Sequence, residues 1–240
     1  MIAIVVLWEV GARVFAVPAY LVPKPSEIGI EAMANGGLLL GHTVATAKTV
    51  LLGFLASIAI SLPLAVAITS SPMIAGAIYP ALVLTQSIPK VALAPILVVL
   101  LGANELPRVV ITFLVAFFPL VLAIAAGLAA VPPELIELGR ACRATKLKEL
   151  FRIRLPYAVP FIFSGLKAAI TLSVVGAVVA EFVNADQGLG YLIVTSTAFF
   201  KVPLAWAALA ILSVMSIALF QIVELVEKIF FPWALANEPK

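Results

Sequence analysis

The sequence predicts an all-α membrane protein with six transmembrane helices. Of its 240 residues, 64% are hydrophobic and only 11% are charged. A soluble domain has about 45–50% apolar and about 25% charged residues, so this chain lacks the polar surface that a soluble fold needs. Length is the third observation, because six spans of about 20 residues use roughly half of the chain. A water-soluble enzyme, a disordered chain and a separate catalytic domain are therefore excluded.

Apolar stretches between turn residues define the predicted helices. The first covers residues 1–17 and is short for a span, which leaves open a longer native start. Glu9 and Arg13 interrupt it and no basic segment precedes it, so it does not resemble a signal peptide. The loop at 18–41 is predicted to hold one short helix capped by Ser26. The remaining helices are predicted at residues 43–69, 74–101, 108–130, 160–183 and 204–230.

Prolines mark the predicted interruptions. Pro80, Pro89 and Pro95 all lie within residues 74–101, and three prolines in one span predict a broken or bent helix. Ser70-Ser71-Pro72 predicts a tight turn. The chain thus divides into a first helix with its external loop (residues 1–40), a five-helix core (41–230) and a cytoplasmic tail (231–240).

One loop carries much of the charge. Residues 131–159 hold nine of the 27 charged residues (15 Lys and Arg plus 12 Asp and Glu) and six of the Lys and Arg. The positive-inside rule places this loop in the cytoplasm. Counting spans from it puts the loops at 18–41, 102–107 and 184–202 outside and both termini inside. On charge alone, a basic loop that merely sets the topology is the preferred interpretation.

The order of residues in this loop favours a more specific interpretation. Glu137-Leu138-Gly139 is followed by three residues, Arg143, nine residues and then Ile153-Arg154-Leu155-Pro156. This spacing resembles the EAA loop of permease subunits in binding-protein-dependent ABC importers, which reads E-A-A, three residues, G, nine residues, I-x-L-P. Residues 21–28, 86–95 and 180–193 resemble the branch for sulfonates, taurine, nitrate and pyrimidine precursors. Together these segments extend the resemblance over essentially the whole chain.

The resemblance implies a type I ABC importer transmembrane fold in a bacterial inner membrane. Two copies of the permease would form the pathway across the lipid bilayer, two ATPase subunits would bind beneath it, and an external binding protein would deliver a small nutrient. ATP and Mg²⁺ would bind to the ATPase, and this chain would hold no cofactor. The loop would contact the ATPase through Glu137, Leu138, Gly139, Arg140, Arg143, Ala144, Leu155 and Pro156.

Arg143 departs from the family pattern, which has glycine at this position. Glycine permits a tight turn or a close backbone approach. Arginine here either adopts the turn at a cost or marks an altered contact with the ATPase.

No residues for catalysis or nucleotide binding stand out. The chain has no Gly-Lys pair and hence no phosphate-binding loop. Its single cysteine, Cys142, excludes an internal disulfide, and its single histidine, His42, cannot form a metal cluster alone. The charge pattern does not predict nucleic-acid binding. A secondary carrier or channel is the alternative function, although a carrier built from inverted repeats should show two similar halves, which this sequence lacks.

Polar residues in the predicted spans are candidates for the substrate pathway: Gln86, Ser87, Lys90, Glu181 and Asn184. Three interpretations stay open for Lys90 and Glu181, namely an ion pair, a polar lining, or snorkelling to the interface. Lys48 and Lys167 are expected to snorkel.

Small residues recur at about every fourth position of the fifth predicted helix. The two rows include Gly165, Ala169, Ser173 and Ala177, and Ser164, Ala168 and Gly176. Tight packing inside one subunit and a lining of the twofold interface and pore are equally supported.

Residues 172–186 look most like the corresponding segment of permeases for aromatic or heterocyclic nutrients such as pyrimidine precursors. A sulfonate or a nitrate-like anion is the other expected substrate.

Overall fold

A computed structural model describes residues 2–235, and no β-strand occurs in this range. Residue 1 and residues 236–240, which end the predicted tail, lie outside the described residues. The helices are α1 (Ile2–Val14), α2 (Pro25–Ala34), α3 (Gly36–Ser70), α4 (Pro72–Gln86), α5 (Ala94–Leu101), α6 (Glu105–Ala129), α7 (Pro133–Ala141), α8 (Lys146–Glu149), α9 (Leu155–Val183), α10 (Leu189–Ala198), α11 (Val202–Phe230) and α12 (Pro232–Leu235). A 3-10 turn, Lys90–Leu93, precedes α5, and a π-turn, Leu150–Arg154, joins α8 to α9.

Central helix α6 packs between α3 and α9, and glycines bring the three backbones close together. A Cβ atom on Gly53 of α3 would lie 2.6 Å from the Thr112 Cβ of α6. A Cβ atom on Gly176 of α9 would lie 3.0 Å from the Thr112 Cα. Because small residues allow close helix contacts in lipid, these two glycines fix the spacing of the bundle.

The two rows of small residues on α9 have different surroundings. Gly165, Ala169, Ser173, Gly176 and Ala177 are all buried inside the subunit. For these positions the structure agrees with tight packing within one chain rather than with a pore lining. By contrast, Ser164 and Ala168 are exposed and border an open cleft of about 510 Å³.

Of the six predicted spans, four or five are confirmed by helix length and composition within residues 2–235. Within residues 2–235, four helical runs are long and apolar enough to cross a membrane: α3, α6, α11 and the run Lys146–Val183. A fifth span results if α4 and the bent segment after it count as one. The 13 residues of α1 extend about 20 Å at a rise of about 1.5 Å per residue. That length is less than the roughly 30 Å of a hydrocarbon core.

The predicted interruption of the third span is confirmed. Residues 72–86 and 90–101 are bent by 80° relative to each other. The break occurs at Ser87-Ile88-Pro89, where Pro89 lacks an N–H and disfavours helical backbone at the residue before it. The predicted turn at Ser70-Ser71-Pro72 is confirmed too, since α3 ends at Ser70 and α4 begins at Pro72.

Three predicted helix starts are wrong, and one of them is that of α3, which begins at Gly36 rather than at residue 43. The short helix in the loop predicted at 18–41 begins at Pro25, a residue type that suits the first helical position. Ser26 is not its cap, because its N–H and Oγ donate to the Glu9 carboxylate at 3.0 and 2.9 Å. The fifth predicted helix does not begin at Pro160 either, since helical backbone is continuous from Lys146 to Val183.

A π-turn explains why no helix stops before Pro156. Proline has no N–H to donate to the preceding turn, and Pro156 lies directly after the wider Leu150–Arg154 turn. A π-turn inserts an extra residue into a helix without ending it. The second helix of the charged loop therefore continues past this proline into α9.

Helix α10 occupies the loop predicted at 184–202, and a buried carboxylate docks it. Glu181 of α9 is 2% exposed and accepts hydrogen bonds from the Gly190 N–H at 2.7 Å and the Thr46 hydroxyl at 3.1 Å. The Thr46 Oγ1 in turn accepts from the Leu189 N–H at 2.7 Å. The first N–H groups of a helix need outside partners, and a negative charge at this end is favourable. Glu181 and Thr46 thus attach α10 to α9 and α3.

Two glycines allow the carboxylate to approach this helix end. Gly188 has a φ of +125°, and a Cβ atom there would collide with the Glu181 carboxylate. Its N–H donates to His42 Nδ1 at 2.9 Å. A Cβ atom on Gly190 would lie 2.8 Å from the Val178 carbonyl oxygen. The Gly-Leu-Gly sequence is therefore required by the docking of α10.

We predict that Gly53→Ala destabilises the bundle by about 1–3 kcal/mol, because the added methyl group overpacks the contact with Thr112. Gly41→Ala is the matched control on the same helix, since nothing lies within 4 Å of its added Cβ. This control should be neutral or stabilise by about 0.5–1 kcal/mol. Thermal unfolding in detergent measures both, and equal midpoints for the two variants would contradict the proposed packing.

Replacing Glu181 should loosen α10. We predict that Glu181→Ala costs about 1.5–3 kcal/mol, because it leaves buried hydrogen-bond donors on Thr46 and Gly190 without their charged acceptor. Glu181→Gln keeps one acceptor oxygen and should lose less. Hydrogen exchange at the amides of residues 188–192, measured by mass spectrometry, should rise in the order wild type, Gln, Ala. Unchanged protection in the Ala variant would show that the carboxylate does not hold this helix.

Candidate functional site

The charged loop folds as two short helices, α7 and α8, joined by a tight turn. Pro133 occupies the first turn of α7, where its missing N–H costs nothing. Thr145 caps α8, as its sequence position predicts, and accepts from the Lys148 N–H at 3.4 Å. Both helix starts in this loop therefore follow from local sequence signals.

Arg143 closes the end of α7 in a left-handed conformation, with a φ of +54°. The Ala144 N–H donates to the Gly139 carbonyl at 2.9 Å, and the Arg143 N–H donates to the Arg140 carbonyl at 2.9 Å. This pair of bonds is the Schellman motif, whose left-handed residue is usually glycine. Of the two alternatives for this departure from the family pattern, the structure has the first: arginine adopts the turn, at a cost of about 1–2 kcal/mol.

Gly139, the third residue of the Glu137-Leu138-Gly139 sequence, lets α7 pack against the π-turn. A Cβ atom on Gly139 would lie 2.6 Å from Ile153 Cδ1. Both residues belong to the pattern of the charged loop, 14 positions apart in the sequence. The spacing of that pattern thus corresponds to a direct contact between the two arms of the loop.

An ion-pair network attaches the loop to α6. The Glu149 carboxylate binds Arg154 at 2.7 Å and lies 3.9 Å from Arg140. Arg154 Nη1 also donates to the Leu128 carbonyl at 3.2 Å, near the C-terminus of α6. A cation is favourable at that end of a helix. Sequence analysis missed Glu149 and Arg154 as anchors, because their five-residue spacing matches no α-helical pair.

The outer surface of α7 has no partner within the described chain. Glu137 is exposed and forms no hydrogen bond or ion pair with residues 3–234. Leu135 and Leu138 are exposed as well, with 40% and 60% of their surface accessible, and they line a shallow cleft between α7 and the start of α9 together with Ile153 and Pro156. Behind α7, a cleft of about 590 Å³ separates the loop from the end of α3 at Ser70. The first turn of α9 follows the π-turn, with Leu155 half-buried and Pro156 exposed.

Structure separates the five residues predicted for the pathway. Gln86 and Ser87 are exposed at the break after α4, and Lys90 lies beside them with its ammonium 4.5 Å from the centre of the Phe118 ring. Glu181 is buried beneath α10 instead. Asn184, the residue that ends α9, is half-buried.

Two interpretations of Lys90 and Glu181 are therefore corrected. No Lys90–Glu181 ion pair occurs among residues 3–234, because Glu181 turns toward α10. Snorkelling and pathway lining are wrong for Glu181, since only 2% of this residue is accessible. Within residues 180–193, the segment of family resemblance that contains Glu181, this carboxylate serves to dock α10.

Other charged residues in the spans pair across helices, which local sequence could not indicate. Lys48 binds Glu105 at 2.7 Å, and Lys167 binds the buried Glu227 at 2.7 Å. The expectation that both lysines only snorkel is thus wrong. Arg108, which is 6% exposed, donates to the Gln187 carbonyl at 3.2 Å and supports the loop before α10.

Comparison with known proteins places this architecture among transporters. Residues 50–234 match the family model for the inner membrane component of binding-protein-dependent transport systems. The formylaminopyrimidine transport permease protein ThiX of Halalkalibacterium halodurans is 33% identical over 231 residues, which cover 96% of this chain and 92% of that protein. The riboflavin transport system permease protein RibX of Chloroflexus aurantiacus is 31% identical over 235 residues, with 97% and 88% covered.

A solved structure shares the fold. A chain of the MetNI methionine ABC transporter, in an inward-facing conformation, matches with a TM-score of 0.72 at 18% identity, covering 80% of this chain and 96% of that chain. The predicted type I ABC importer transmembrane fold is thereby confirmed. The chain belongs to the family of binding-protein-dependent inner membrane components and is a multi-pass, non-catalytic permease subunit of an ABC transporter.

Proposed function

We propose that two copies of this chain form the transmembrane pathway of an ATP-driven importer, and that residues 131–159 couple this pathway to a separate ATPase. The observation that carries the coupling role is the anchoring of α7. Gly139 packs against Ile153, and Arg140 lies 3.9 Å from the Glu149 carboxylate that binds Arg154, while the exposed Glu137 forms no hydrogen bond or ion pair with residues 3–234. A coupling element needs this combination of rigid attachment and free contact surface.

The continuous helix behind the loop supports the same role. Helical backbone runs for 38 residues from Lys146 to Val183, which is about 57 Å at about 1.5 Å per residue. Because α9 packs along the central helix, a displacement of α7 moves a core element of the bundle. Nucleotide-driven motion in an ATPase would reach the membrane by this route.

The exposed side of α7 fits a protein partner better than water alone. Leu135 and Leu138 offer exposed apolar surface along the cleft beside Ile153, and Glu137 offers a charged acceptor elsewhere on the exposed surface of α7. An apolar centre with charged residues around it is typical of specific interfaces. We assign the partner as a separate ATPase, which would bind ATP and Mg²⁺, since this sequence contains no phosphate-binding loop.

Orientation follows from the same proposal. With the charged loop in the cytoplasm, α9 crosses outward and α11 returns, so the C-terminal tail is assigned to the cytoplasm. The docked α10 then faces outside, where an external binding protein would deliver the substrate. Whether the N-terminus is also cytoplasmic depends on α1 crossing the membrane. The prediction that both termini are inside therefore stays a prediction.

The proposed cargo is a small heterocyclic nutrient. ThiX and RibX, both more than 30% identical to this chain, are named for formylaminopyrimidine and riboflavin, two nitrogen heterocycles. A sulfonate or a nitrate-like anion is the alternative cargo. Calorimetric titration of the importer's external binding protein with a pyrimidine, riboflavin, taurine and nitrate tests the assignment, and tight binding of taurine or nitrate alone would contradict it.

Charge reversal on α7 should uncouple the importer. We predict that Glu137→Lys and Arg143→Glu insert normally but fail to retain the ATPase or to stimulate it, because each removes a charge-assisted bond worth about 1.5–3 kcal/mol. Co-purification and substrate-stimulated ATP hydrolysis in reconstituted vesicles are the measurements. Lys201→Glu, the same reversal on the outer loop, is the control and should keep both. Full retention by the two loop variants would mean that the loop only sets topology.

A further inference from the structure

We propose that Lys90 makes the pathway electrically positive at the break between α4 and α5, and thereby excludes cations while neutral and anionic solutes pass. This inference rests on the proposed function, which makes the break part of the pathway. It assigns Lys90 as a residue that determines solute charge, and it makes the pathway resistant to leakage of protons and metal cations.

The Lys90 ammonium is half-buried and lies level with the middle of α6. Its nitrogen is 4.5 Å from the centre of the Phe118 ring, and Phe118 lies about midway along the 25 residues of α6. At about 1.5 Å per residue, this midpoint is roughly 18 Å from either end of the helix. The charge therefore points toward the middle of the membrane and does not snorkel to an interface.

Among residues 3–234, Lys90 is the lysine or arginine within a predicted span that has no acidic partner. Lys48 pairs with Glu105 and Lys167 pairs with Glu227. The other Lys and Arg that lack an ion pair in this range lie in the charged loop or at Lys201. An unpaired charge at membrane depth is costly unless it faces a water-filled cavity. The face of the Phe118 ring compensates part of this cost but does not replace water.

Independently of Lys90, the backbone geometry at the break also indicates a water-filled environment. The helix stops at Gln86, and residues 87–89 are non-helical and exposed. Non-helical backbone at membrane depth is tolerated only where it is buried in protein or lines a water-filled cavity. The break is not buried within this subunit. Together with the unpaired Lys90, it therefore forms a hydrated wall.

Twofold symmetry doubles the charge. In a dimer, each feature near the axis faces its own copy, so two Lys90 side chains would border the same pathway. Rings of Lys or Arg favour anions and repel cations in membrane pores. A neutral heterocycle passes such a barrier without an electrostatic penalty. The charge thus acts on ions rather than on the proposed cargo.

Charged thiol reagents test this potential directly. The reporter is Ser87→Cys in a Cys142→Ser background, in membranes that contain the assembled importer. Two methanethiosulfonate reagents modify this thiol, one carrying an anionic ethylsulfonate group and one a cationic ethyltrimethylammonium group. Each rate of modification is divided by the rate of the same reagent with free 2-mercaptoethanol. The quantity compared between variants is the normalised rate of the anionic reagent divided by that of the cationic reagent. This ratio cancels changes in thiol reactivity. We expect it to exceed that of an outer-loop reporter, Ala103→Cys, and to fall by about tenfold in Lys90→Gln.

Matched variants separate the possible outcomes. Lys90→Arg keeps the charge and should keep the ratio, and Lys201→Gln removes a distant charge and should leave it unchanged. An equal ratio at Ser87→Cys and Ala103→Cys in chains that retain Lys90 would overturn cation exclusion even if Lys90→Gln failed to assemble. If neither reagent modified Ser87→Cys, the break would not be hydrated, and the assignment of this segment to the pathway would fail as well.

Discussion

At Thr112, the central helix touches glycines of two other helices, and much of the remaining architecture depends on this contact. Gly53 and Gly176 bring α3 and α9 against α6 at backbone distance. In lipid, where apolar surface gains little from burial against another helix, such close contacts supply the packing energy. Both ends of α6 then serve as attachment points: Arg154 binds the Leu128 carbonyl at one end, and Arg108 holds the Gln187 carbonyl at the other.

Helix α9 connects the two ends of the molecule. Its N-terminal end continues from the charged loop without a break in the helix, and its C-terminal end carries Glu181, which docks α10. Under the proposed function, a movement imposed on α7 would therefore reach the outer face through one helix. The bend between α4 and α5 lies between these ends, beside Phe118 of α6. Coupling loop, pathway wall and outer helix would then all respond to the same packed core.

Local sequence signals predicted the parts of the fold that local chemistry controls. The break at Pro89 and the turn at Pro72 each follow from the preferences of one or two residues. Contacts between distant residues gave no such signal: Thr46 and Glu181 are 135 positions apart, and Lys167 and Glu227 pair across two helices. The sequence motif located Glu181 as a residue of interest, but its role in docking α10 required the fold. Arg143 lies between these cases, because the motif indicated a turn and the structure supplied the left-handed φ.

Proximity of α7 to the ATPase is the central claim, and the native thiol of Cys142 offers the most direct measurement. Cys142 is exposed at the end of α7. A maleimide-benzophenone reagent attached to it should, on illumination of the assembled importer, produce a covalent permease–ATPase product. The product should be absent from Cys142→Ser and from the same variant carrying Ala103→Cys on the outer loop. Co-purification of both subunits without any cross-linked product from Cys142 would contradict the account.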